Sequence, residues 1–312
     1  MAKKRSKKQK KPGRFDDFPG FDPRGMEKTL SDLNRILEGK EFDSDEDLVQ
    51  YLQEYLASYD PDRFQAKRSL DQAQELIYQA WELEGKERVE LAYKALEISR
   101  DCADAYIILA EETARNKKEI LRFYQQAVAA GRRALGEEVF KDSVGDFWSL
   151  LNTRPYMRAL FGLAQSLWSL GKRRDAIEHY YELLRLNPTD NQGVRFVLIT
   201  CLLVVGRDDD AKKLIDEYKN DPTATWAYSR ALLLFRQKGA SRKANALLKK
   251  ALKVNHYVPE YLLKKKKFPR ELPCMIGFGD ENEAVDYAFD ALSAWENTPG
   301  ALKWLAENFN KL

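Results

Sequence analysis

The chain has 312 residues, of which 44% are hydrophobic and 32% are charged. This composition is typical of a soluble globular protein with enough apolar residues to bury a core, and the length allows one large domain or two small ones. The longest apolar run, residues 196–206, reaches about half the length of a membrane span, and residues 1–14 contain no apolar core of a signal peptide. We therefore expect a cytoplasmic protein without a membrane partner.

The formal net charge of +3 conceals an uneven distribution of charge. Residues 1–14 contain eight cations and no acid, so a basic segment precedes a mildly acidic remainder. Residues 1–25 combine these charges with prolines and glycines and cannot bury enough surface to fold, so we predict a disordered basic tail there. The eight cations, which are candidates for contact with nucleic acid, are Lys3, Lys4, Arg5, Lys7, Lys8, Lys10, Lys11 and Arg14.

The three cysteines argue against a cysteine-based framework. Cys102, Cys201 and Cys274 are odd in number, far apart and outside any CxxC pattern. Neither a disulfide framework nor a zinc site is therefore expected, and a reducing compartment fits this usage.

A stretch at residues 169–188, "SLGKRRDAIEHYYELLRLNP", contains the pattern of a repeat. Gly171 is followed five residues later by Ala176, and the same glycine-to-alanine spacing begins again at Gly206 and at Gly239. The steps between these glycines are 35 and 33 residues. They bracket the 34-residue period of the tetratricopeptide repeat.

The residue types in this pattern suit a helical hairpin. Glycine permits the tight turn between two antiparallel helices, alanine lets the helices approach closely, and a larger side chain one turn later, such as Tyr180, fills the space between them. Pro188 and Pro222 prevent the second helices from continuing. We predict an all-α fold, a tetratricopeptide-repeat α-solenoid in which antiparallel helix pairs form a right-handed superhelix with helical caps.

The regions before and after the array are predicted to form helices of their own. Leu30, Leu33 and Leu37 share one face of a helix near the N-terminus, and Asp280 and Glu283 stand at capping-box spacing at the start of a later helix. The predicted parts are the disordered tail at 1–25, an N-terminal helical cap at 26–69, the repeat array at 70–255 with an insertion at 137–155, and a C-terminal helical cap at 256–312.

The C-terminal block carries a resemblance to a known family. It contains a YLL segment, a proline-containing loop, a Gly-Asp pair before a helix with an aromatic and alanine core, a tryptophan, and a Gly-Ala-Leu segment. These are Tyr261 to Leu263, Gly279 and Asp280, Tyr287 to Phe289, Trp295, and Gly300 to Leu302. The block resembles the end of the suppression-of-tumorigenicity-seven family, and the resemblance extends over residues 75–312.

This resemblance has implications for fold and function. The repeat that precedes the block is similar to that of the compact soluble members found in prokaryotes, whereas the animal members carry membrane segments that this sequence lacks. The resemblance implies a tetratricopeptide-repeat fold and supplies no enzymatic chemistry.

Motifs for catalysis are not found in the sequence. The two histidines, His179 and His256, stand in or just after second helices, where packing or surface positions account for them. Metalloprotease, serine hydrolase and P-loop signatures are missing, and the acids of residues 208–210 point to different sides of a helix start. We predict that the protein is not an enzyme and uses neither a cofactor nor a metal.

The first helices of such an array line a concave groove that can hold an extended peptide or a partner helix. Arg158, Trp168 and Trp226 are the expected anchors, because arginine and tryptophan contribute most to interface energies. The alternative for either tryptophan is packing against a neighbouring repeat. With Ala164 at the small position of its helix, the register places in the groove Arg158, Phe161, Gln165, Trp168, Ser169, Phe196, Thr200, Trp226, Ser229 and Arg236.

Two functions follow from these patterns. The first is a non-enzymatic adaptor or scaffold that binds a peptide or partner protein of mixed apolar and polar character in the groove. The alternative is a nucleic-acid or ribosome-associated factor, in which the tail neutralises phosphates of RNA or DNA. A third interpretation is that the tail is only a solvated extension. No aromatic residue precedes Phe15, so stacking of bases on the tail is not indicated.

Overall fold

A computed structural model describes residues 23–37, 40–57, 68–273 and 275–310. Every regular element within these ranges is helical, as the repeat pattern predicts. A short 3-10 helix at Leu151–Thr153 accompanies fifteen α-helices in the described ranges. The α-helices are α1 (Pro23–Leu37), α2 (Asp45–Ala57), α3 (Ser69–Trp81), α4 (Gly85–Ile98), α5 (Ala103–Glu112), α6 (Lys117–Asp142), α7 (Arg154–Ser169), α8 (Arg173–Leu186), α9 (Val194–Val205), α10 (Asp208–Glu217), α11 (Ala224–Lys238), α12 (Arg242–Val254), α13 (Val258–Leu262), α14 (Glu281–Glu296) and α15 (Ala301–Phe309).

The chain divides into two compact units, Pro23–Asn191 and Gln192–Leu312, here called the N-terminal and C-terminal units. In the first unit α3 packs on α4, α5 on α6 and α7 on α8, and in the second α9 packs on α10 and α11 on α12. This confirms the all-α arrangement of helix pairs. The division falls within the predicted array at 70–255, and the predicted domain limits stay predictions.

The turn glycines of the three clear repeats adopt the predicted conformation. Gly171, Gly206 and Gly239 have φ angles of 79°, 74° and 58°. Because positive φ is strained for residues with a Cβ atom, glycine is favoured at each turn. The alanine five residues after each glycine is fully buried, which allows close contact between the paired helices.

The two helix pairs upstream of the clear repeats share a core of small and branched residues. Ala73 and Ile77 of α3 pack with Ala92 and Ala95 of α4, and Ile108 of α5 joins the same cluster. These side chains are fully buried, so each pair is held by apolar contact despite its divergent turn.

The predicted insertion at 137–155 packs on the first clear repeat. The Phe147 side chain of the insertion is fully buried, and the ring centroid of Phe140 lies 5.0 Å from that of Tyr156 on α7. The backbone amides of Gly145 and Phe147 both donate to the carbonyl of Leu186, at 3.1 and 3.2 Å. The insertion therefore covers the C-terminal end of α8.

The start of α14 confirms half of the predicted capping box. The Asp280 side chain accepts a hydrogen bond from the amide of Glu283 at 2.7 Å, as an N-cap residue does. The Glu283 carboxylate does not return to Asp280, as the box requires. It accepts instead from the amides of Ala224 and Gly279, both at 2.8 Å, and from the Asn255 amide group at 3.0 Å.

The leucine stripe of α1 that the sequence pattern indicates is only partly covered. Leu33 and Leu37 are half-buried, but Leu30 is exposed. Among the described side chains of this helix, the fully buried ones are the acids Glu27 and Asp32. The helix is therefore held by polar contacts of its acids as well as by its half-buried leucines.

Candidate functional site

Arg158, the first predicted anchor, lies at the centre of a buried ion-pair cluster in the N-terminal unit. Its Nη1 and Nη2 atoms donate to the two carboxylate oxygens of Glu27 at 2.8 and 3.0 Å. Its Nε and Nη2 atoms donate to the two carboxylate oxygens of Asp104 at 3.0 and 2.7 Å. Glu27 is 3% exposed and Asp104 1% exposed, so the guanidinium joins two carboxylates that are withdrawn from water.

Four helices of the N-terminal unit supply the surroundings of Arg158. Gln74 of α3 donates to Asp104 at 3.0 Å, and the ring of Trp81, at the end of α3, has its centroid 5.1 Å from the Arg158 Cζ atom. Arg154, one turn before Arg158 on α7, lies 3.8 Å from a Glu27 oxygen. Glu27 comes from α1 and Asp104 from α5. We use the name Arg158 cluster for Arg158 and the residues around it, which are Glu27, Gln74, Trp81, Asp104 and Arg154.

The electrostatics of the Arg158 cluster follow from burial and from its two acids. Burial alone lowers the pKa of the Arg158 guanidinium, but the carboxylates of Asp104 and Glu27 outweigh it and raise the pKa well above its ordinary value. Burial, followed by the charge of Glu27, raises the pKa of the nearby Tyr78 hydroxyl. Arg158 is therefore a permanent cation, and the Tyr78 hydroxyl stays neutral.

The other predicted residues of α7 differ in accessibility. Gln165 and Ser169 are exposed, and Trp168 is half-buried with the Arg173 guanidinium 3.8 Å from its ring centroid. Phe161 is buried, and its ring lies 6.0 Å from that of Tyr180 on α8. The expectation that Phe161 faces a groove is corrected, because the ring packs within the helix pair.

The predicted residues of the C-terminal unit are largely core residues. Trp226 is fully buried, with its ring 5.8 Å from that of Phe196 and 6.1 Å from that of Tyr218. Thr200 and Ser229 are also buried. The expectation that these three side chains present a binding surface is corrected, and for Trp226 the packing alternative holds.

Arg236, the last predicted groove residue, joins three elements of the C-terminal unit. Its guanidinium donates to Asp208 at 2.8 Å, to the Thr298 hydroxyl at 2.8 Å and to the carbonyl of Ala294 at 3.0 Å. The Arg236 side chain is 13% exposed. These bonds give the residue a structural role between α10, α11 and the end of α14.

Several predictions fall on residues that the structure does not describe. The predicted disordered tail up to residue 22, with its eight cations, lies outside the described residues, as does Cys274. Within the described residues no three His, Cys, Asp or Glu side chains are grouped so that they could hold a metal ion. In the same part of the chain, no helix has the combined length and apolar character that crossing a bilayer requires.

Sequence reasoning missed the acidic partners of Arg158. Asp104 could have been found, because it stands between Ala103 and Ala105 just before the apolar run of residues 107–110, and a charge buried there requires a partner. Glu27 carried no such signal, since it precedes Arg158 by 131 residues and its helix shows an apolar pattern elsewhere.

The chain matches the family model described as ST7 protein over residues 44–311. This match covers most of the sequence. The chain belongs to the ST7 protein family. The match confirms the resemblance seen in the C-terminal block and extends it toward the N-terminus, into α2.

Curated relatives from animals are longer than this chain. Suppressor of tumorigenicity 7 protein-like from Danio rerio is 28% identical over 250 residues, which cover 74% of this chain and 43% of that protein. The Homo sapiens protein of the same name is 28% identical over 260 residues, covering 74% and 44%. The chain thus spans less than half the length of these relatives.

Among solved structures, the chain is similar to YrrB, described as a TPR protein with an unusual peptide-binding site. The sequence identity is 18%, the TM-score is 0.42, and the alignment covers 59% of this chain and 84% of YrrB.

Proposed function

We propose that this protein is a non-enzymatic adaptor that binds a partner protein on the first helices of its N-terminal unit. The observation that carries this proposal is the Arg158 cluster, in which α7 and its neighbours hold a separate helix, α1, through the buried Glu27 carboxylate. A face that accommodates one helix has the shape and the polar groups needed to bind another.

The rest of this α7 face supplies accessible contact groups. Arg158, Gln165 and Ser169 follow one another at intervals of seven and four residues, so they lie on one stripe of the helix. Gln165 and Ser169 are exposed and the Trp168 ring is partly exposed beside them. Tryptophan is enriched among the residues that contribute most to interface energies.

The test is affinity capture with the tagged full chain, followed by titration with the purified partner. The test variant combines Gln165→Ala and Trp168→Ala, which remove accessible groups and leave the Arg158 cluster intact. The matched control is Tyr93→Ala, because Tyr93 is 50% exposed but lies on a second helix, α4. Thermal melts should show that all three proteins are folded.

We expect the double variant to lose a partner that wild type and Tyr93→Ala both retain. Its Kd for the purified partner should rise at least about tenfold, which corresponds to about 1.4 kcal/mol. Equal binding by all three proteins would contradict a binding surface at this part of α7.

A further inference from the structure

The contacts of α1 differ from those of an ordinary packed helix. A helix that belongs to a hydrophobic core buries its apolar residues and exposes its charges. In α1 this arrangement is altered, because Glu27 and Asp32 are 3% and 1% exposed while Met26 and Leu30 are 47% and 36% exposed. The other apolar side chains of the helix, Leu33, Ile36 and Leu37, are only half-buried. The acids are therefore the most deeply buried of its described side chains, and Glu27 is bound as a carboxylate ligand is bound in a polar site.

The receiving site is organised independently of α1. The Arg158 guanidinium keeps two hydrogen bonds to Asp104 that do not involve Glu27, and Gln74 in turn fixes Asp104. The Trp81 ring lies against the guanidinium from another side. Because these groups come from α3, α5 and α7, the arginine is oriented before any carboxylate of α1 arrives.

The charge of this site favours an anion. Without Glu27 the site contains the cations Arg154 and Arg158 and the single anion Asp104, which is a net positive charge in a place largely withdrawn from water. Glu27 supplies the carboxylate that balances it, and it binds Arg158 in the bidentate geometry that arginine forms with carboxylates.

The geometry also indicates a helical ligand. The helix α1 packs on α3 and on the 3-10 helix at Leu151–Thr153, while its Glu27 side chain reaches Arg158 on α7. A carboxylate that reaches Arg158 from a helix lying on these two elements fits a helical ligand better than a free carboxylate.

We propose that the Arg158 cluster is a binding site for a glutamate on a helix of a partner protein, and that α1 is an internal occupant which the partner replaces. This inference rests on the proposed function and specifies the chemistry of the partner. The partner helix presents its glutamate to the Arg158 guanidinium. Binding of that helix releases α1 from the face of α7.

The test uses a fluorescent peptide with the sequence of residues 23–37 and the full-length protein. Anisotropy titrations compare wild type with Glu27→Ala, in which the internal carboxylate is removed and Arg158 retains its bonds to Asp104. Because α1 is tethered, it competes at an effective concentration on the order of millimolar. We expect Glu27→Ala to bind the peptide at least about tenfold more tightly than wild type does.

Two controls make the result specific. A peptide with glutamine in place of Glu27 should bind the Glu27→Ala protein at least about tenfold more weakly, because the charged hydrogen bonds to Arg158 are lost. A full-length Leu30→Ala protein should bind the original peptide as weakly as wild type does, because Leu30 is exposed and the bonds of Glu27 to Arg158 are unchanged.

The outcomes separate this inference from the proposed function. Equal binding of the glutamate and glutamine peptides, or no binding to Glu27→Ala, would overturn the inference. Failure of Glu27→Ala to fold would also overturn it, since α1 would then be a structural part of the unit. Partner capture that depends on Trp168 could persist in each of these cases. The adaptor function is therefore tested separately, by the capture experiment with the Gln165→Ala, Trp168→Ala variant.

Discussion

The ring of Tyr124 occupies the place where a side chain on Gly162 would stand. A Cβ atom added to Gly162 would lie 2.0 Å from the Tyr124 Cε1 atom and 2.4 Å from its Cζ atom. Gly162 is in the middle of α7 and Tyr124 is on α6, so the missing side chain lets these two helices approach. The contact lies one turn from Arg158 and helps to position the helix that carries it.

We predict that Gly162→Ala destabilises the N-terminal unit by about 1 to 3 kcal/mol. The added methyl group overlaps the Tyr124 ring, and the cost of displacing a packed ring exceeds the gain in helix propensity from alanine. The free energy of unfolding from urea titration, followed by circular dichroism, measures the change.

A double variant tests the cause of this loss. Tyr124→Ala removes the ring, so Gly162→Ala should cost markedly less in the Tyr124→Ala background than in wild type. Additive losses in the double variant would show that the destabilisation does not come from this contact.

The second prediction concerns Arg158. Arg158→Ala leaves the buried carboxylates of Glu27 and Asp104 without their cation, and we expect a loss of about 3 kcal/mol in the free energy of unfolding. The matched control is Arg174→Ala, since Arg174 also pairs with an acid, Glu178, but is 86% exposed. That variant should lose less than about 0.5 kcal/mol. Similar losses for the two variants would contradict the assigned burial of the cluster.

The fold could be predicted from the sequence, because the residue patterns that indicate it lie within single helical hairpins. The turn glycines, such as Gly171, must adopt positive φ, and the alanine five residues later must be small for the helices to meet. Each requirement acts within one hairpin of about 34 residues, so a single pattern repeated three times identifies the architecture.

The site was harder to predict from the sequence, because the residues that contact one another there are far apart in the chain. Helical register placed Arg158 and Trp226 on equivalent faces, yet one joins a polar cluster and the other is a core residue between Phe196 and Tyr218. Register shows which face a residue occupies and does not show what covers that face. The inward acids of α1 were also missed, because a leucine stripe ordinarily marks the buried side of a helix.

The third prediction concerns Glu283, which binds backbone amides of two segments and the side chain of Asn255. Glu283→Ala leaves the buried amide of Ala224, at the first position of α11, and that of Gly279 without their acceptor. We expect the C-terminal unit to lose about 3 kcal/mol of unfolding free energy. Glu283→Gln retains acceptor capacity and should lose less.

Asp280, the N-cap residue of α14, provides the control for the Glu283 variants. Asp280→Ala removes a cap from α14 but leaves the bonds of Glu283 to Ala224 and Asn255, and it should cost about 1 kcal/mol. Urea titrations of the three variants give the order directly. An equal or larger loss for Asp280→Ala would show that Glu283 does not hold α11 to α14 within this unit.

The fourth prediction concerns Cys102, which lies in the core between α3, α4 and α5. Burial, assisted by the charge of Asp104, raises the pKa of the Cys102 thiol to about 12. At pH 8 only roughly one thiol in ten thousand would then be ionised, and the thiolate is the reactive form. We expect alkylation of Cys102 in the native protein to be at least about a hundredfold slower than in urea, as measured by mass spectrometry of the modified peptide.

The same measurement distinguishes release of α1 from opening of the core. Cys102 is fully buried and packs with Ala73 and Ile77, which belong to the helix pairs and not to α1. Glu27→Ala should therefore leave the alkylation rate of Cys102 close to that of wild type even though it weakens α1. A rate in Glu27→Ala that approaches the rate in urea would show that removing the carboxylate opens α3 and α5, so that α1 would be part of the core and not a replaceable helix.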